Sequence, residues 1–298
     1  MSSIKQAAEE MLLQTIIPFW KGLRDEEKGG FYGYMDFDLK LDKQAEKGCI
    51  LNSRILWFFS EAAMLTGRAD LAEDARHAYQ FFLKNCYDEA NGGVYWSCDY
   101  TGKPQDTTKH TYNQGFAIYA LSAYYRLTKD PVALTYAKKI FHLIEQHCTD
   151  SEGYLEAFTI DWKPESNEKL SENGVMAAKT MNTLLHVFEG YAGLYQASRD
   201  PEVEKPCAAS LISTSTRFTA RSCTGSWCSL TSTTTLSSIC TATATISSPA
   251  GSSTGAAIYW AMQRFPSAST PSTPTLPPTS TRKLTLTTRW STSASAAR

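Results

Sequence analysis

The sequence predicts an all-α fold of the α/α toroid type, present as roughly half a ring and followed by an irregular Ser/Thr-rich segment. Three observations predict it. A glycine-aromatic motif recurs at near-constant spacing, two kinds of helical stretch alternate between its copies, and the composition changes abruptly near residue 205.

The motif reads "GGFYGYMD" from Gly29, "GGVYWSCDY" from Gly92 and "EGYLEAFTIDW" from Glu152. Aligning Gly30, Gly93 and Gly153 gives intervals of 63 and 60 residues, the period of a repeated supersecondary unit. Glycine followed by alternating aromatic and small residues predicts a turn and a short strand.

The helices fall between the motifs. Residues 5 to 20 form the first, with Ala8, Met11, Leu12, Ile16 and Phe19 on one stripe. Residues 50 to 66 form the second, 69 to 86 and 111 to 127 the next pair, and 131 to 147 and 180 to 198 the third. In each pair the first helix is half polar, as in "ADLAEDARHAYQFFLKN", and the second is apolar nearly all round, as in "GFAIYALSAYYRL". A helix apolar on all sides is buried and a two-faced one lies at the surface. The simplest assembly is a ring of helical hairpins with the apolar helices inside. Six hairpins of about 60 residues would need roughly 360, and three, with the start of a fourth, are readable.

Up to Lys205 the chain carries 22 basic and 30 acidic residues, a balance of −8. From Pro206 onward it has six arginines, one lysine and no Asp, Glu, His or Asn, and Ser and Thr supply 41 of the 92 residues from Cys207. The expected division is therefore 1–205, a partial barrel, and 206–298, a low-complexity tail without the apolar periodicity that buries a core. Translation in a shifted frame from near Pro206 accounts for such a text. It is preferred to a mucin-like tail because no secretion signal precedes it and Trp227, Trp260 and Trp290 are scattered through it.

The net charge of −1 gives no footprint for nucleic acid or an anionic membrane surface. No run of 18 apolar residues predicts a membrane span. Glu9 and Glu10 ahead of the first apolar stretch argue for an amphipathic helix and against a signal peptide. Together with eight cysteines and no CxxC pair, this leads to an expectation of a cytoplasmic protein with free thiols. No metal or cofactor is expected.

The inner helices all begin with polar residues: Asn52, Ser53 and Arg54; His110, Thr111, Tyr112, Asn113 and Gln114; Lys179, Thr180 and Asn182, with His186 one turn later. If these helices run parallel round a ring, their starts converge on one mouth, where free N–H groups and the positive dipole end also lie. Amides, one arginine, one histidine and aromatic walls, Trp57 among them, suit a neutral, hydroxyl-rich ligand such as a sugar. Capping competes as a role for Asn52, Ser53 and Thr180, and a core histidine for His186. Arg54 precedes "ILWFF", at the edge of a buried helix where an unpaired charge is costly.

Other patterns carry less. His142 and His147 are five apart, not the four of a helical zinc pair. "GSSTG" at 251–255 matches a serine elbow, but no acid or histidine follows it. The charged run Asp25-Glu26-Glu27-Lys28 is expected to be a solvated loop. Asp36, Asp38 and Asp99 are expected to brace turns, with a glycosidase carboxylate pair as the alternative.

"IIPFWKGLRDEEKGGFYGYMD", "KGCILNSRILWFFSEA", "GGVYWSCDYTGKPQDTTKHTYNQGFAIYALSAYY" and "LSENGVMAAKTMNTLLHVFEGY" closely resemble cellobiose 2-epimerases of the N-acylglucosamine 2-epimerase superfamily. The resemblance covers residues 1 to about 205. It implies an (α/α)6 barrel and a cofactor-free exchange at C2 of a reducing-end sugar, with cellobiose or lactose as the disaccharide partner and a monomeric state. In that chemistry the sugar ring opens, one histidine removes the C2 proton, an enediolate forms, and a second histidine returns the proton to the other face. The resemblance implies that Arg54 lies at the reactive end of the sugar, that Tyr112 and Asn113 line the pocket, and that Asn182 and His186 serve the substrate and ring opening. Trp57 is expected to bind substrate by stacking. The family's main acid/base blocks lie in its second half and have no counterpart after residue 205, so the chain as written is expected to be impaired. A mannose-type isomerase or epimerase of the same superfamily, a glycosidase-type α/α barrel and an inactive sugar-binding fragment stay open as alternatives.

Overall fold

The computed structural model describes residues 4–151, 153–167, 178–219, 229–230 and 236–237. The serine-elbow match at 251–255 and most of the Ser/Thr-rich segment lie outside the described residues.

Among the described residues seven helical stretches follow one another: α1 (residues 4–22), α2 (Cys49–Thr66), α3 (residues 69–86), α4 (Thr111–Thr128), α5 (residues 131–148), α6 (Met181–Ser198) and α7 (Pro201–Thr219). The ends of the first six lie within about two residues of the sequence expectation; α7 extends into the stretch expected to be irregular from residue 206. α1 contains a wide π-type turn at residues 12–16, and α3 and α5 finish in one, at residues 82–86 and 144–148. α2, α4 and α6 pack side by side as an inner layer, and their nearly all-round burial matches their composition. α3 and α5 bury one stripe each, Leu71, Ala75 and Ala78 on the first and Ala133, Ala137 and Ile140 on the second.

The hairpins are paired differently from the sequence expectation. Of the outer helices, the one each inner helix packs on most closely is the one that follows it: α3 for α2, α5 for α4 and α7 for α6. The cause is a two-residue turn opened by a left-handed residue, Gly67, Lys129 or Arg199, with φ of 68°, 61° and 55°. Each N–H bonds the carbonyl four residues back, on Ala63, Tyr125 and Tyr195, closing the helix and reversing the chain. The long outer-to-inner loops hold the short strands. Lys47–Gly48 pairs antiparallel with Ser97–Cys98, Lys109–His110 with Ala157–Phe158, and Lys179–Thr180 with Ser229–Leu230.

An ion pair staples each of these loops, buried in the first two and with an exposed aspartate in the third. Lys47 Nζ lies 2.6 Å from Asp25 Oδ2 and 2.7 Å from Gly29 O. Lys109 Nζ lies 2.8 Å from Asp88 Oδ2 and 2.6 Å from Gly92 O. Lys179 Nζ lies 2.6 Å from Asp150. Asp25, expected on a solvated loop, is only 1% exposed, because its carboxylate also takes the backbone N–H groups of Glu27 and Lys28. Burial alone would push its pKa up; the hydrogen bonds from Lys47 and the backbone outweigh that and hold it below the ordinary carboxylate value.

α7 runs across residue 205 and holds Pro206 in its interior. Cys207 and Ser210 are buried, and the Ser210 hydroxyl lies 3.3 Å from Tyr154 Oη.

Candidate functional site

The three inner helices begin after Gly48, His110 and Thr180. Counting from these starts places equivalent residues side by side. The sixth residue is Arg54 on α2, Phe116 on α4 and His186 on α6; the ninth is Trp57, Tyr119 and Glu189; the second is Ile50, Tyr112 and Asn182. Positions two, six and nine share one helical face, so the repeat lays three residues from each helix on one surface.

The contacts on that surface are direct. Arg54 Cζ lies 5.0 Å from the centre of the Phe116 ring. The Phe116 and His186 rings are 4.4 Å apart, and Tyr112 meets His186 edge-on at 4.9 Å. Trp57 stacks on Tyr119 at 5.1 Å. The Tyr112 phenol is pushed up in pKa by burial; the Arg54 charge and a hydrogen bond with Asn182 pull the other way. His186 Nδ1 lies 2.7 Å from Glu189 Oε2. A carboxylate at that distance makes Nδ1 the donor and leaves the lone pair of a neutral ring on Nε2. Glu189 is buried and His186 keeps 15% of its side chain exposed, so the pair is nearly enclosed.

The packing of α4 on α6 sets where His186 stands. A Cβ on Gly115 would lie 2.8 Å from His186 O, and one on Gly190 would lie 2.6 Å from Gly115 O. The helices touch backbone to backbone here, which only glycine permits.

Of the residues singled out in the sequence, Arg54, Tyr112, Asn182, His186 and Trp57 come together on this face. Arg54 and Asn182 are exposed there, and Tyr112 and Trp57 are half-buried. Arg54 therefore avoids the desolvation expected of a charge at a buried helix. Asn113 departs from its expected place in the pocket. It is fully buried and its Nδ2 donates to Tyr95 O at 2.6 Å, so it fixes the loop instead of lining the face. Asn52 and Ser53 do not cap α2; they donate to Gly48 O and Ile50 O. Thr180 does cap α6, accepting from Thr183 N–H at 3.1 Å. Asp36 and Asp99 brace turns, through Lys40 N–H and through Thr101 and Lys103 N–H. Phe116, Tyr119 and Glu189 were missed; counting each helix from its start would have found all three.

Glu156 supports the start of α6 from behind. Its carboxylate accepts from Thr180 N–H and the Thr183 hydroxyl, both at 2.5 Å. Burial raises its pKa to about 7, with the hydrogen bonds from Thr183 and Thr180 offsetting part of the rise. A carboxyl raised in the folded state favours folding when protonated. Stability is therefore expected to fall by about 3 kcal/mol as pH climbs from about 4.5 to about 7. Glu156→Gln is expected to remove that slope in urea titrations run across this range; an unchanged slope would refute the assignment.

The fold defines an α/α-toroid protein with equivalent residues of successive hairpins gathered on one face. A sequence profile for N-acylglucosamine 2-epimerase (GlcNAc 2-epimerase) matches residues 29–200, and the chain belongs to that family. Among curated relatives, a cellobiose 2-epimerase from Eubacterium cellulosolvens is 56% identical over 190 residues, covering 64% of this chain and 47% of its own. One from Ruminococcus albus is 54% identical over 192 residues, covering 64% and 49%. The chain thus spans about half the length of the curated relatives it matches. The crystal structure of a sugar epimerase from a ruminal bacterium superposes with a TM-score of 0.70 at 49% identity, over 71% of this chain and 55% of that one. Among the described residues no helix is long and apolar enough to cross a membrane.

Proposed function

We propose that residues 4–205 form one half of the sugar site of a carbohydrate 2-epimerase acting on a cellobiose-type disaccharide. The observation that carries this reading is the equivalent placement of Arg54, Phe116 and His186 on three neighbouring helices, with Glu189 fixing the imidazole. In this reading Trp57 and Tyr119 offer an aromatic platform for a pyranose face. His186 Nε2 moves a proton at a sugar oxygen during ring opening. Arg54 and Asn182 stabilise negative charge on the enediolate oxygens. Inverting C2 needs a proton removed on one face and returned on the other. Of the five histidines, four are engaged elsewhere: His77 with Gly30 O, His110 against Trp96, His142 on the outer α5, and His147 against Trp162. The half-site therefore binds the sugar and handles one proton, without completing the exchange. The Ser/Thr-rich text after 205, which carries no histidine or acid, is read as shifted in frame.

Saturation-transfer NMR with cellobiose tests the binding half of this. The signal is expected from the chain as it stands and is expected to fall at least about fivefold in Arg54→Ala, the loss of one charged hydrogen-bonding group. Equal signals from the two proteins would refute the site.

A further inference from the structure

Cys49, Cys86 and Cys98 place their sulfurs within 4.8 Å of one another, and all three residues are buried. They come from three separate elements: the first residue of α2, the last of α3, and the strand Ser97–Cys98. Nothing in their spacing of 37 and 12 residues announces this. We propose that these three thiols form a binding site for a soft divalent cation of the zinc class, distinct from the sugar face.

The geometry suits such an ion. Thiolate bonds of about 2.3 Å around a tetrahedral zinc put the sulfurs about 3.8 Å apart, a spacing reached from this cluster by small side-chain rotations. The chemistry suits it too, since three thiolates select zinc or other soft ions over magnesium or calcium. The Cys98 thiol donates only a weak hydrogen bond, to Lys47 O at 3.4 Å, so little is lost when a metal ion takes the sulfur. Three thiolates and a dication leave a single negative charge, with Lys47 close by.

The sister repeat argues that the cluster is not a packing requirement of the fold. Thr111 is the first residue of α4, where Cys49 stands in α2. Cys148 ends α5 as Cys86 ends α3. Phe158 pairs with Lys109 as Cys98 pairs with Lys47. The same architecture is thus built there with one thiol and no donor set. In the first repeat the three sulfurs sit where they would tie the start of the Arg54-bearing helix to the strand and outer helix beside it.

The test uses the full chain, purified under reducing conditions. Elemental analysis after zinc loading and dialysis is expected to give one zinc per chain. Titration with Cd(II) is expected to give one thiolate-to-cadmium charge-transfer band saturating at one equivalent. Cys49→Thr borrows the residue of the sister repeat and so keeps the fold; it is expected to weaken Cd(II) binding by about 100-fold or more, beyond what losing an outer partner costs. Cys148→Ser, outside the cluster, is expected to change nothing. A wild-type chain with native circular dichroism that takes up neither ion would overturn the proposal. So would Cd(II) binding equal in wild type and Cys49→Thr, or a disulfide between any two of the three in the reduced preparation.

Discussion

Lys109→Met is expected to destabilise the folded chain by about 3–5 kcal/mol, the cost of removing one partner from a buried ion pair. Lys109 is fully buried, and its ammonium serves three acceptors: Asp88 Oδ2 at 2.8 Å, Gly92 O at 2.6 Å and Ile160 O at 2.7 Å. Methionine keeps much of the volume but leaves the buried Asp88 carboxylate without its cation and two carbonyls without this donor. Losses of this size take a large part of a typical domain's stability of about 5–15 kcal/mol. Adding Asp88→Asn is expected to recover part of it, since the surviving amide carries no charge. Urea unfolding of the two single variants and the double gives the coupling directly. A Lys109→Met loss below about 1 kcal/mol, the range of exposed pairs, would show that the lysine is not the staple described.

Gly190→Ala is the second large effect. In an exposed helix, alanine gains about 1 kcal/mol over glycine. Here the new Cβ would lie 2.6 Å from Gly115 O and 3.3 Å from Gly115 C. The obstacle is backbone, so the helices must separate, at about 1–3 kcal/mol for forcing a methyl into a packed interior. The clash exceeds the propensity gain, and net destabilisation of about 1–2 kcal/mol is expected. The separation would also draw His186 away from Phe116. Cellobiose binding is therefore expected to weaken along with stability, whereas Gly193→Ala, whose nearest neighbour is the Tyr119 ring at 3.2 Å, is expected to cost less. Gly190→Ala raising stability would contradict the close approach.

The layer arrangement was legible because burial writes itself into composition. α4 is apolar on every side and α3 on one, and that difference placed one inside and the other outside. The hairpin pairing was not legible in the same way. It depends on left-handed turns at Lys129 and Arg199, residues with no preference for that conformation, each with its cation over the aromatic ring four residues earlier. Asp25 was misplaced because charge in a polar run reads as solvation. The repeated signal lies in Asp25 with Gly29-Gly30 and Asp88 with Gly92-Gly93, where the acid belongs to the motif as much as the glycines do. Five of the six singled-out site residues meet on one face, because the family resemblance and the polar helix starts both pointed there. Asn113 is the third residue of α4, off the face of positions two, six and nine, so it turns to the loop carrying Tyr95; the same count from the helix start shows this.

The proposed sugar half-site offers a single imidazole, His186, for proton transfer. The most direct measurement is incubation of the purified chain with cellobiose in D2O, with deuterium at C2 of the reducing-end glucose followed by NMR. No deuterium at C2 above a protein-free control is predicted. Label appearing at C2 with wild-type protein, and vanishing with His186→Ala, would contradict it.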